Sequence, residues 1–420
     1  TINASDVDFT NCLPDSLVYL SVWAMGLTHH LKRLVNLETL IVGSFSHLEK
    51  IEDCFIPPTL TRFEMLGYMP IKSPFRLILP KLPNTLENLR LPEWSGDIDG
   101  NELPPKLTDL DIIGKSFKIS RGNYFRDSIT SLKLNVQFAS EFIENALPAS
   151  LKSLTMWTDG QEILDSMLPK SLTSLETDSV IKSRSGPVKM PPKLLNFYVC
   201  ADEGNNIRTF DPSSLPNGLL TFYAPADHLL YNGLHLARFP KTLTRIEGVI
   251  FPRMDKIDFS PFQHLLIIEQ AGFNGNNDVT FPKSLTVLEC DSIVCAWKLP
   301  DLRRLRFSNS LYVKHCGSSI PSIDRLPKSL TALRAGDLIV NSMAVEGNNE
   351  IVDLWIENFQ LERGMEIDSH FTKTFLARLL PKIRSFTSEI YSISLNSNLD
   401  GQHWVLNSAL IKYDDVDSDG

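Results

Sequence analysis

The sequence predicts a solenoid of α/β class, in which short parallel strands stack side by side and brief return segments carry the chain from one strand to the next. Three observations predict it. A phrase close to Leu-Pro-x-Ser-Leu-x-x-Leu recurs, as LPDSLVYL at 13–20, LPNTLENL at 82–89, LPPKLTDL at 103–110, LPASLKSL at 147–154, LPKSLTSL at 168–175, FPKSLTVL at 281–288 and LPKSLTAL at 326–333. With the first Leu after the Pro as a marker and degenerate copies allowed, seventeen markers run from Leu17 to Ile383, a mean period of about 23 residues. The marker and the residues three and five later are apolar in most copies, as in Leu86, Leu89 and Leu91, or Leu194, Phe197 and Val199. A unit this short cannot bury its apolar face alone, so neighbours must stack and these positions form a continuous spine.

Each element follows from that arrangement. Proline fixes φ and has no N–H, so it is tolerated at the mouth of a strand and not inside a ladder. About half of the 26 prolines stand there, three residues before the marker. Steps between markers are 20 residues or fewer at three places, 28 between Leu302 and Leu330, and 32 between Ile351 and Ile383. Returns this short exclude long helices, so the convex side is expected to be mostly irregular or 3₁₀. The longest step is the exception: Asp368 or Ser369 can cap a run in which Phe371, Phe375, Leu376 and Leu379 fall at helical spacing, stopped by Pro381. The organisation expected is one solenoid domain over 1–392, with a parallel sheet on its concave face and few helices. A C-terminal cap and acidic tail follow over 393–420.

Over roughly residues 13–390 these repeats resemble the leucine-rich-repeat superfamily. The phrases FPKSLTVL at 281–288 and FPKTLTRI at 239–246 are similar to the repeats called FNIP. The LPxxLxxL phrase is also similar to arrays in bacterial secreted effectors, which keep a tighter period. The Asn that commonly follows the third Leu in the superfamily is mostly missing: the turns after Leu91, Ile112 and Met156 begin Pro-Glu-Trp, Ile-Gly-Lys and Trp-Thr-Asp. The resemblance implies an interaction role and brings no catalytic residue with it.

Composition narrows the function further. The 420 residues are 43% hydrophobic and 22% charged, with net charge −9. That acidic balance without Lys/Arg clusters argues against nucleic acid. No apolar run approaches the roughly 18 residues of a membrane span. Six cysteines, Cys12, Cys54, Cys200, Cys290, Cys295 and Cys316, lack the paired spacing of extracellular arrays and read as reduced thiols in a cytoplasmic protein. Secretion stays an open alternative because the chain begins at Thr1 rather than Met. The sequon Asn3-Ala4-Ser5 is compatible with chance.

No Gly-rich phosphate loop, HExxH or Gly-x-Ser-x-Gly is present. Cys290 and Cys295 have no second pair to complete a zinc site, and His315-Cys316 stands alone. His29-His30 falls in a return segment and reads as solvated. Asp415-Val-Asp417-Ser-Asp419-Gly420 opens like a calcium loop but lacks the closing bidentate acid, so it reads as a disordered tail. No catalytic residue, cofactor or metal is expected.

Function is left to the inner sheet face, where residues two, four and six after the marker point away from the spine. The column at four places Tyr198 and Tyr223 first, then Glu247, Glu269 and Glu289, then Arg306, Arg334 and Trp355, with Arg304 beside them. Parallel strands lie about 4.8 Å apart, so three stacked glutamates repel unless a cation, a basic partner or neighbouring arginines compensate. This strip is the candidate surface for a protein segment of mixed charge. The plainer reading is a solvated face on which Arg245 pairs with Glu247 or Glu269. A weaker candidate surrounds Trp23 and Arg90. The function expected is a non-catalytic protein-interaction scaffold, with its partner unidentified and its oligomeric state open. Its alternatives are a substrate-recognition subunit of a ubiquitin ligase and a GTPase regulator that inserts Arg304 or Arg306 in trans.

Overall fold

The computed structural model describes residues 2–3, 13–24, 31–44, 56–66, 82–98, 102–119, 125–136, 147–158, 162–200, 211–224, 236–251, 256–273, 278–291, 298–307, 311–312, 326–340, 350–361, 385–388, 392–395 and 404–407. The chain forms two compact units, Thr1–Leu219 and Leu220–Gly420.

In the first unit the strands Tyr19–Ala24, Thr39–Ser44, Arg62–Met65, Asn88–Ile98, Asp109–Ile119, Ser131–Val136, Ser153–Trp157, Ser174–Thr177 and Asn196–Val199 pair in parallel, each with the next in sequence. In the second, Thr221–Tyr223, Arg245–Glu247, Ile267–Ala271, Val287–Cys290, Arg304–Phe307, Ala332–Val340, Asp353–Leu361 and Ser385–Ser388 do the same. Two antiparallel strands, Ser392–Leu395 and Trp404–Asn407, then follow. From Arg62–Met65 onward, each strand of the parallel series begins two residues after a marker.

Sequence alternation sets the core. Every marker from Leu37 to Ile351 is fully buried, as is the residue three later, from Leu40 to Leu354. A fourth apolar column precedes the proline and is also buried, through Leu82, Leu103, Leu168, Phe239, Phe281 and Leu326. Each such side chain contributes roughly 1.5–3 kcal/mol by leaving water. Return segments are short. Among the described residues there is no α-helix, only 3₁₀ turns at Leu31–Arg33, Asp165–Met167, Pro212–Ser214 and Leu236–Arg238. The helix expected around Phe371–Leu379 lies outside the described residues. In the second unit phenylalanines from successive returns stack: Phe251 on Phe273 (5.5 Å between centroids, 14° between planes) and Phe259 on Phe281 (6.0 Å, 2°).

The recurring phrase has a hydrogen-bonding explanation. Pro starts a tight turn whose carbonyl accepts the marker N–H, as in Leu86 to Pro83 and Leu172 to Pro169, each 3.1 Å. The Ser or Thr before the marker donates its hydroxyl to the carbonyl of the preceding marker: Thr59 to Leu37 (2.9 Å), Ser150 to Ile129 (3.0 Å), Ser171 to Leu151 (2.6 Å), Ser284 to Leu265 (2.8 Å) and Ser329 to Leu302 (2.9 Å). The Thr after the marker donates to the carbonyl one residue beyond the preceding marker, at 3.1 Å in Thr61, Thr108, Thr173, Thr244, Thr286 and Thr331. That second carbonyl is a shared acceptor. Glu38, for example, also takes the Thr61 and Arg62 amides at 2.9 and 3.0 Å. These two hydroxyl ladders stand before the strand, where the missing Asn would have stood after it. After the strand, aspartates do the Asn's work locally. Asp178 accepts the Thr158 amide (2.7 Å) and Asp291 the Phe273 amide (3.1 Å), each from the preceding repeat.

One strand departs from the pattern. In Ile267–Ala271 the residue five after the marker is Gln270, which the spine cannot bury. A bulge turns it outward at φ 51°, and Ala271 takes the core place opposite Cys290. One repeat earlier, at the corresponding position, stands Gly248, with φ +74° and no room for a side chain: a Cβ there would lie 2.6 Å from the Ala224 carbonyl oxygen.

Three outcomes follow for stability. Ser171→Ala removes the hydrogen bond of the Leu151 carbonyl and should cost about 1 kcal/mol. Thr173→Val leaves the Lys152 carbonyl with two amide donors and should cost less than about half of that. Urea denaturation of both variants checks the order, and an equal or reversed loss contradicts the ladder account. Gly248→Ala should cost about 2 kcal/mol or more in the same assay.

Candidate functional site

In the first unit the outward column is in direct register: Glu64 faces Arg90, Arg90 faces Asp111, Asp111 faces Lys133, and Glu176 faces Tyr198. Its charges alternate and pair internally. Arg90 lies 3.2 Å from Asp111, the Lys133 ammonium stands 4.8 Å from the Trp157 ring centroid, and the Thr155 hydroxyl donates to Glu176 at 3.1 Å. Burial pushes the Asp111 carboxyl above its ordinary range, against the opposing pull of Arg90 and Lys133. Beside the column, burial and then Glu176 push the Cys200 thiol up to about 12, so it stays protonated and donates to Glu176 (3.6 Å). Arg90, half of the weaker candidate, is thus occupied by Asp111, and the Trp23 side chain is not among those described. Tyr198 is half-buried at the last strand of this series.

In the second unit Tyr223, Glu247 and Glu269 stand opposite one another in register. The three glutamates are not left to repel. Arg245 donates to Glu247 (Nε–Oε2 3.0 Å) and to Glu269 (Nη2–Oε2 2.5 Å), bridging two strands. The Gln270 bulge shifts the register between Glu269 and Glu289. Glu289 instead pairs with Arg306 on the next strand at 3.0 Å. Of the compensations the sequence allowed, neighbouring arginines are the one the fold uses.

Farther along, Arg306 stands directly opposite Arg334, and Arg334 opposite Trp355. The Arg334 guanidinium lies 3.4 Å from the Trp355 ring centroid, a cation–π stack. These residues line an open groove of about 320 Å³ on the strand face that runs from Glu269 and Glu289 past Arg304 and Arg306 to Asp353 and Trp355. Arg304 is exposed and makes no ion pair among the described residues. The column was legible from spacing alone. Spacing also shows the register that brings Arg334 beside Trp355, but not that the two stack, nor that Asp353, two residues before Trp355, joins the groove.

Removing the bridging guanidinium tests this electrostatic account. Arg245→Met should cost about 1 kcal/mol at low ionic strength, because two glutamates then face each other uncompensated. Adding Glu269→Gln should recover a large part of it, and roughly 0.5 M salt should shrink the difference. Denaturant midpoints at two salt concentrations decide it, and no recovery in the double variant would show that Arg245 acts by packing alone.

Residues 94–158 match the FNIP repeat family model. No curated protein matches the chain. Among solved structures, the chain is similar to CroV588, described as a novel circular LRR protein, with 20% identity and a TM-score of 0.54 over 92% of this chain and 64% of that one. It therefore spans under two thirds of that protein's length. It is also similar to the functional domain of InlJ from Listeria monocytogenes, which includes a cysteine ladder, with 15% identity and a TM-score of 0.51 over 81% and 74% of the two chains. The likeness is one of fold: the described residues of this chain form a leucine-rich-repeat solenoid with a parallel sheet and no α-helix.

Proposed function

We propose that this chain is a non-catalytic scaffold that holds a protein partner on its open strand face. The observation that carries the reading is the division of labour within each strand. Alternate side chains are consumed by the spine, while the others form polar, charged and aromatic columns fixed in backbone register. Such a face is rigid before anything binds, so little conformational entropy is lost on association. Repeat proteins of this architecture present extended surfaces of this kind to other proteins. On the second unit the columns supply Tyr223 and, around the groove from Glu269 to Trp355, arginines and a tryptophan, side chains that dominate interface energetics. The same reading places the chain in the cytoplasm, which the unpaired spacing of its cysteines favours.

The test is capture from native lysate by the full chain and by the Glu247→Lys, Glu269→Lys, Glu289→Lys variant, with proteins identified by mass spectrometry and folding of both checked by thermal melts. A partner lost only in the folded variant is the expected result. Identical partner sets would remove this face from the proposal.

A further inference from the structure

We propose that Asn217–Gly218 is a self-modifying site: the asparagine closes onto the Gly218 amide as a cyclic imide and reopens as aspartate and isoaspartate, and the isoaspartyl form unseats Leu219 from the spine. The two residues are the centre of the turn that opens their repeat, in which the Pro216 carbonyl accepts the Leu219 amide at 3.1 Å. Both are exposed. A Cβ added at Gly218 would meet nothing within 4 Å, so nothing screens the Gly218 nitrogen on that side.

The locks found at other strand mouths are absent here by composition. Gly218 stands where Ser150, Ser171, Ser284 and Ser329 donate a hydroxyl to the preceding marker. Leu220 stands where Thr173, Thr244, Thr286 and Thr331 donate theirs. Glycine also leaves the turn backbone its widest freedom. Asn84 supplies the internal contrast. It is exposed in an equivalent turn, closed from Leu86 to Pro83 at 3.1 Å, but the residue after it is Thr85. The branched Cβ of Thr85 crowds its own amide, and its hydroxyl is held by the carbonyls of Leu60 (2.8 Å) and Pro58 (2.9 Å).

The reaction needs only water. The Gly218 nitrogen bonds to Asn217 Cγ, the Cγ–Nδ2 bond breaks, and ammonia leaves with the proton that Gly218 gave up. Water then opens either carbonyl of the imide. One opening gives aspartate; the other carries the chain through the side-chain carbon and gives isoaspartate, with an extra backbone methylene and a new carboxylate. A turn closed from Pro216 to Leu219 has no place for that methylene, and Leu219 is fully buried in a close-packed spine.

The experiment is ageing of the full folded chain in mildly alkaline buffer. Isoaspartate is read by peptide mapping and by methyl transfer from labelled S-adenosylmethionine with protein isoaspartyl methyltransferase. Conversion at Asn217 with Asn84 intact is expected. Mapping keeps Asn217 separate from Asn232–Gly233 and Asn274–Gly275, which lie outside the described residues. Gly218→Ser restores a ladder hydroxyl, removes the freedom of glycine and should slow conversion roughly tenfold. The aged wild-type chain should also lose more of its urea midpoint than aged Gly218→Ser. An Asn217 that stays intact in the folded chain, an Asn84 that converts as fast, or equal conversion in Gly218→Ser overturns the site. Conversion at Asn217 with equal midpoints in the two aged chains overturns the unseating of Leu219.

Discussion

The structure depends on satisfying the backbone at the mouth of every strand. There the chain turns from a return segment into the sheet, beside a fully buried leucine, and its polar groups cannot all reach water. The Pro-x-Ser-Leu-Thr phrase answers that need residue by residue. Pro opens the turn and its carbonyl takes the marker N–H, as in Leu172 to Pro169. Ser171 reaches back to the Leu151 carbonyl, and Thr173 joins two amides on the carbonyl of Lys152. A motif that looks like a hydrophobic signature is equally a hydrogen-bonding one.

Once the strand mouths are locked to one another, the register of everything downstream is set. Parallel strands a fixed distance apart bring equivalent residues face to face, so charge patterns along the columns have energetic consequences. In the first unit acids and bases alternate through Glu64, Arg90, Asp111 and Lys133. In the second, like charges cluster, and the fold offsets them by reaching along the strand with Arg245 and across it with Arg306.

Behind the sheet, the missing Asn ladder is replaced by more than one device. Asp178 and Asp291 each cap an amide of the preceding repeat, and stacked phenylalanines such as Phe251 and Phe273 fill the return side of the second unit.

The sequence by itself determined the spine, the strand starts and the order of the outward column within each unit, ending at Tyr198 in the first and running from Tyr223 to Arg334 and Trp355 in the second. Those follow from a period and an alternation, which a linear chain carries in full. It also carried the possibility that Arg245 neutralises the glutamates, because two residues along a strand share a face. Tertiary structure decided the rest. The Gln270 bulge breaks the glutamate ladder because a polar side chain at a spine position is costly to bury. Likewise, Arg334 lies on Trp355, Arg306 chooses Glu289, and a groove opens between Glu269 and Trp355. Those choices rest on side-chain torsions and on how adjacent strands crowd one another, and the repeat leaves both free.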